Sequence, residues 1–493
     1  MSKLGNKPGN PTRRVLMQGG TAGMVLVASQ ARAQRAAQPG MQPPNIVFIL
    51  ADDLGYADLS CYGRPDILTP NIDRLAREGV RLTQAYANSA VCSATRTALI
   101  TGRYQYRLAV GLEEPIAGSS SNMGLPPGEP TLPALLRKAG YGTTLIGKWH
   151  LGSLPDYSPA LSGYDHFWGF RTGALDYFTH LNVEHKEDLW DGDMPVHETG
   201  YMTDLIGNRA VAAVAEYAKA GQSFLLSVHF NAPHWPWEAP GDEAEAERLR
   251  TASLRHYDGG SQRTYKLMVE RMDLQVGRVL DGLEAGGIAG NTIVVFTSDN
   301  GGERFADTWP FTGRKTELLE GGLRVPASLR WPARVAAGQV SDQVAISMDW
   351  MPTLLAAAGT APAAGHPCDG IDMLPVLAGG RAPVPRTLFW RYKANWQRAV
   401  RDGDWKLLKI AGNTFLFDVA LDPMERANLK DRHPDVYARL VAAWDAWNAA
   451  MLAEAGNSFT EGISASQLAD HLGAVRVPRD PDPDPGWPVA KVP

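Results

Sequence analysis

The run Asn45-Ile46-Val47-Phe48-Ile49-Leu50-Ala51-Asp52-Asp53 decides the fold. Its apolar residues are unbroken and rich in β-branched side chains, which predicts a strand buried on both faces. It ends in two adjacent carboxylates, and these need a cation or donors to neutralise them. Three further apolar runs end in the same way. Residues 141–146 deliver Gly147-Lys148-Trp149-His150, residues 224–230 deliver Asn231-Ala232-Pro233-His234, and residues 292–297 deliver Ser298-Asp299-Asn300. Lys148 and His150 stand two apart, so an extended chain points them to one side. Helical patterns over residues 69–79, 131–139, 203–220 and 263–284 separate the runs. Strands alternating with helices imply an α/β fold with a large, mixed, mostly parallel sheet flanked by helices on both faces. Ligands of such sheets sit beyond the carboxyl ends of the strands. Asp52, Asp53, Lys148, His150, His234, Asp299 and Asn300 are therefore expected to meet at one sheet edge.

A chain of 493 residues with 44% hydrophobic and 20% charged residues is long enough for two or more folded domains. Its net charge of −5 and the absence of a basic run exclude an electrostatic nucleic-acid binder. Residues 1–33 read as an export signal: Arg13-Arg14 resembles a twin-arginine motif, a Gly-rich weakly apolar stretch follows, and Ala31-Arg32-Ala33 fits a cleavage site. That stretch is too short for a transmembrane segment, for which ~20 apolar residues are needed. A periplasmic or secreted location through the twin-arginine export machinery follows. Residues 34–44 read as a linker. Of the three cysteines, Cys61 and Cys368 are left as a possible pair if Cys92 has another use.

The segment Cys92-Ser93-Ala94-Thr95-Arg96 opens a helical pattern that closes at Gly102. Cys92 and Arg96 are one turn apart and share a helix face. With Ile100-Thr101-Gly102-Arg103, this segment resembles the signature of the sulfatase family, formylglycine-dependent members of the alkaline-phosphatase-like superfamily. Ala94 stands where most members carry proline. The resemblance extends over residues 45–429, with the aspartate, lysine and histidine motifs in family order. It implies a sulfuric ester hydrolase in which a formylglycine-generating maturation enzyme converts Cys92 to the aldehyde. It also implies Asp52, Asp53, Cys92, Asp299 and Asn300 as ligands of Ca²⁺, with Mg²⁺ as the alternative. Asp52, Asp53, Asp299 and Asn300 are by themselves oxygen donors of the kind a hard cation takes. Arg96 would steady that centre, Lys148 and Lys315 would clamp sulfate oxygens, His234 would protonate the leaving alcohol, and His150 would take the closing proton. His180, His185 and His229 read as ordinary core or surface histidines.

Residues 163–180 are rich in aromatics and glycine and read as a loop that walls the substrate. Residues 45–380 are expected to form the catalytic domain. Beyond them the pattern changes to short strands at 388–393, 397–401, 405–410 and 414–419, with a hairpin at Arg401-Asp402-Gly403-Asp404. A helix over 434–453 follows, so residues 381–460 read as a small α+β domain with an antiparallel sheet, and 461–493 as an extended tail. Aryl sulfates and sulfated carbohydrates both suit the implied chemistry. A phosphonate or phosphodiester hydrolase, or a non-catalytic receptor for sulfated glycans with unmodified Cys92, are the competing functions.

Overall fold

The computed structural model describes residues 42–462 except 120 and 121, together with Ser464, Gln467, Leu468, Gly486 and Trp487. The export signal and most of the linker lie outside the described residues.

The strands are β1 (Asn45–Ala51), β2 (Val80–Leu82), β3 (Ala85–Tyr86), β4 (Gly142–Lys148), β5 (His166–Phe170), β6 (Trp190–Asp191), β7 (Met194–Pro195), β8 (Phe224–His229), β9 (Thr292–Ser298), β10 (Ala327–Arg330), β11 (Gln339–Ser341) and β12 (Ala345–Ile346). Ten of them form one sheet in the order β11-β2-β10-β9-β1-β8-β4-β5-β6-β7. The central block from β9 to β5 is parallel, and β10 runs antiparallel to both β9 and β2. β8 and β9 flank β1, so chain order reverses there and the carboxyl ends part into a crevice.

β1 buries both faces, as its unbroken apolar run demands. Val47, Ile49 and Ala51 pack under α1 (Pro70–Arg77) and the long helices met later in the chain, whereas Ile46, Phe48 and Leu50 face the other layer. That second layer includes α2 (Cys92–Thr101) and α3 (Leu132–Lys138). The first includes α4 (Met202–Ala220) and α6 (Gln262–Ala285), joined through α5 (Glu243–Leu249).

A four-stranded antiparallel sheet follows: β13 (Thr387–Tyr392), β14 (Gln397–Asp402), β15 (Trp405–Ile410) and β16 (Asn413–Asp418). Asp402 pairs with Trp405 across the two-residue turn Gly403-Asp404, where Gly403 takes φ 60°. This sheet packs against α2. Ala94 and Ala98 meet Trp390, Leu408 and Phe417, while Leu99 and Ile100 of the same helix face the large sheet. Every residue of α2 is buried as a result. The small side chains at 94 and 98 let two layers close on the helix that carries Cys92.

Two expectations are corrected, and the open question of a cysteine pair is answered. Residues 166–170 are a strand rather than loop, and Trp168, Phe170 and Tyr177 are core residues at 4%, 0% and 0% exposure, so they cannot wall a substrate. β5 pairs with β4 and β6 along its two edges, and its two faces pack into the cores on either side of the sheet. The final helix stops at Asn448, short of residue 453. Cys61 and Cys368 are free thiols packed against opposite faces of the large sheet. Of residues 461–493, Glu461 and Trp487 pack onto the folded body: Glu461 N–H donates to Glu114 O, and Trp487 Nε1 donates to Asp445.

Candidate active site

Loops from the carboxyl ends of β1, β4, β8 and β9 meet at the N-terminus of α2. All ten residues singled out for chemistry converge there, each at most 4% exposed. Local backbone geometry aims them. Gly147 takes φ 106°, and a Cβ there would lie 1.9 Å from His229 O, so only glycine lets β4 approach β8 just before Lys148. Asp53, His150 and Thr316 occupy the left-handed region at φ 61°, 55° and 72°. Such conformations persist for non-glycine residues only where surrounding contacts hold them.

Three carboxylates face three cations. Lys148 Nζ donates to Asp52 Oδ2 at 2.5 Å, and Lys315 Nζ to Asp53 Oδ2 at 2.7 Å. Arg96 grips Asp299 Oδ2 through Nε at 3.0 Å and Nη2 at 2.8 Å, and Arg96 Nη1 donates to Lys148 O at 3.1 Å. Asn300 Nδ2 donates to Asp53 Oδ1 at 2.7 Å, and Asp53 N–H to Asp299 Oδ1 at 3.3 Å. His234 Nε2 lies 3.5 Å from Asp53 Oδ2, and its Nδ1 lies 2.6 Å from Trp235 O. His150 Nε2 lies 3.0 Å from Ile116 O, whose own N–H donates to Ser93 Oγ at 2.8 Å.

Burial dominates the electrostatics. It pushes Asp52 and Asp53 above the usual carboxylate range, and for Asp52 the neighbouring Asp299 adds to the rise. Burial would raise Asp299 too, but Arg96, Lys148 and Lys315 together outweigh it and hold that carboxyl low. Burial first, then Lys148 for His150 and Lys315 for His234, drive both imidazoles well below their ordinary value. The Cys92 thiol is pushed up to about 11 by burial. It is therefore no thiolate at neutral pH, and a bare cysteine here is a poor nucleophile.

The residues fit a hard divalent cation. Ligand atoms of Asp52, Cys92 and Asp299 all lie within 4.8 Å of one another. Asp52 Oδ1 and Asn300 Oδ1 are buried without a hydrogen-bond partner. Orphaned oxygens at such depth are costly unless something occupies them. The protein's own charges nearly cancel, so a divalent ion would leave an excess of positive charge, as an anionic ester requires.

His229, read as an ordinary core or surface histidine, is a buried residue that touches the centre. Its Nδ1 lies 3.1 Å from Lys148 O and 3.4 Å from Arg96 Nη1, behind the centre. The signal was its position as the last residue of β8. His180, read as ordinary, is a satisfied core residue whose Nε2 lies 3.1 Å from Gly200 O.

Fold and site together define a protein of the α/β class whose buried acidic centre fits a divalent cation and is ringed by fixed positive charge. The sulfatase family model matches residues 44–360, and the model of the C-terminal part of N-sulphoglucosamine sulphohydrolase matches residues 313–444. The N-acetylgalactosamine-6-sulfatase of Canis lupus familiaris is 34% identical over 407 residues, covering 78% of this chain and 74% of the relative. Arylsulfatase J of Mus musculus is 29% identical over 472 residues, covering 84% and 77%. The crystal structure of Ps i-CgsB in complex with k-i-k-neocarrahexaose superposes with TM-score 0.76 at 30% identity, covering 87% of this chain and 97% of that one. The chain belongs to the sulfatase family and is a sulfuric ester hydrolase. These relatives favour sulfate esters over the phosphonate, phosphodiester and receptor alternatives. Among the described residues, no helix is long and apolar enough to cross a membrane.

Proposed function

We propose that this sulfatase uses formylglycine at position 92 and a divalent ion, Ca²⁺ first, to cleave sulfate monoesters of carbohydrates. The observation that carries the reading is the placement of Cys92 within 4.8 Å of Asp52 and Asp299 ligand atoms while its own thiol is held protonated. The N-acetylgalactosamine-6-sulfatase at 34% identity and the solved structure bound to k-i-k-neocarrahexaose support carbohydrate over aryl esters.

Asp52, Asp53, Asp299 and Asn300, with position 92, would hold the ion. When bound, the ion would polarise the sulfuryl oxygens, and the converted side chain would supply the attacking oxygen. Each lysine ammonium has three donors and spends one on its aspartate, which leaves donors for sulfate oxygens on Lys148 and Lys315. Arg96 fixes Asp299 and ties it to the Lys148 backbone. An anionic ester beside His234 would offset the burial and the Lys315 charge that depress its proton affinity, so that His234 delivers a proton to the leaving alcohol, and His150, whose Nδ1 is buried without a partner, takes up the proton released as sulfate departs. Maturation by a formylglycine-generating enzyme and twin-arginine export to the periplasm, or beyond it, complete the reading.

A hydrolysis screen of the matured enzyme tests it, using nitrophenyl sulfate and positionally defined sulfated sugars. Turnover of at least one sulfated sugar, abolished by Cys92→Ala, is expected. Full activity in that variant would remove the nucleophile.

A further inference from the structure

Beyond the sulfate-binding centre, four segments distant in sequence meet beside His234. Arg255, from the connection between α5 and α6, forms an ion pair with Glu461, 206 residues away. The Arg255 guanidinium lies 5.7 Å from the centroid of the Trp235 ring, which is itself 4.3 Å from the His234 ring. Tyr257 follows Arg255 by two residues in the same connection. Glu461 is fixed by its backbone: its N–H donates to Glu114 O at 2.8 Å, and its C=O accepts from Tyr392 Oη at 2.7 Å. The side chains of Arg255 and Glu461 are 36% and 11% exposed, and Tyr257 is 36% exposed, so the cluster remains open to solvent.

None of these groups is needed to hold the ion or the sulfuryl oxygens. We infer that Arg255, Glu461 and Tyr257 form the subsite for the alcohol side of the ester, and that it takes a neutral, hydroxyl-bearing sugar ring. This deepens the carbohydrate reading above and rests on it. The cluster sets a carboxylate acceptor beside guanidinium and phenol donors, the alternation that neighbouring sugar hydroxyls match. A free guanidinium would instead recruit a second anionic group, but Glu461 already neutralises this one. An aryl leaving group offers no hydroxyls, and seating it here would cover the pair without replacing its water. Backbone anchoring of Glu461 keeps the acceptor in place before the sugar arrives.

The test compares kcat/KM for a monosulfated N-acetylhexosamine with kcat/KM for nitrophenyl sulfate, in wild type, Glu461→Gln and Arg255→Met, with Tm followed for each. The expected result is that the ratio of sugar to aryl turnover falls ~10-fold or more in both variants, the penalty for losing hydrogen bonds to substrate hydroxyls. An unchanged ratio in either folded variant would overturn the subsite while leaving the carbohydrate reading intact. Higher kcat/KM for a disulfated than for the monosulfated sugar in wild type would also overturn it, by making Arg255 an anion receptor. Wild type that hydrolyses nitrophenyl sulfate but no sulfated sugar would remove the carbohydrate reading, and the subsite with it.

Discussion

Lys315 Nζ sits 2.7 Å from Asp53 Oδ2, with the two side chains only 2% and 1% exposed. An ammonium is buried at such depth only when it is paired. Burial alone would lower the affinity of Lys315 for its proton, but Asp53, with further acidic groups behind it, outweighs that and keeps it charged. Replacing Lys315 by Ala removes one fixed positive charge from the place where ester charge develops. A drop of ~10²–10³ in kcat is expected, the usual cost of one such donor. Steady-state kinetics on nitrophenyl sulfate checks it.

Removing the ion should cost stability as well as rate. Asp52 Oδ1 and Asn300 Oδ1 gain a partner only when the site is filled. Chelator-treated protein should melt lower, and Ca²⁺ at 100 times its Kd should restore about 2.7 kcal/mol. Asp52→Asn should lose this calcium-dependent shift in a thermal melt. An equal shift in both proteins would place the ion elsewhere.

The contact between the two sheets depends on a buried charge cluster. Lys406 Nζ lies 2.9 Å from Glu320 Oε1 and 2.9 Å from Glu425 Oε1, with all three side chains at 0% exposure. Lys406→Met leaves two carboxylates without their shared cation, at an expected cost of about 3–5 kcal/mol. Urea unfolding measures it, and adding Glu425→Gln should recover part of the loss.

Glu114 sets a pH dependence of stability away from the centre. Burial raises its carboxyl from 4.5 to about 8 in the folded chain. The native state thus binds a proton that the unfolded state releases above about 4.5, so stability falls as pH rises toward about 8 and levels off beyond. Glu114→Gln should flatten that slope in melts followed across this window. An unchanged slope would mean that the carboxylate is accommodated in its charged form.

The strands were legible because a continuous run such as 45–51 has one stable home, a sheet covered on both faces. The centre was legible because each strand ended in a residue too polar to bury without a purpose, and Cys92 and Arg96 keep a helical spacing. The aromatics over 163–180 misled, since a Gly-rich aromatic stretch suits a loop and a glycine-tolerant buried strand alike. Gly169 follows Trp168 in the second role, pressed against Gly147 O. Arg255 and Glu461 left no local mark: each is a single charge in an irregular segment, and only the fold brings them together.

The mass of the proteolytic peptide that carries residue 92, taken from enzyme that turns over a sulfate ester, tests the central claim most directly. The expected result is an aldehyde in place of the Cys92 thiol, in a fraction that scales with specific activity across preparations. An unmodified thiol throughout a fully active preparation would contradict it.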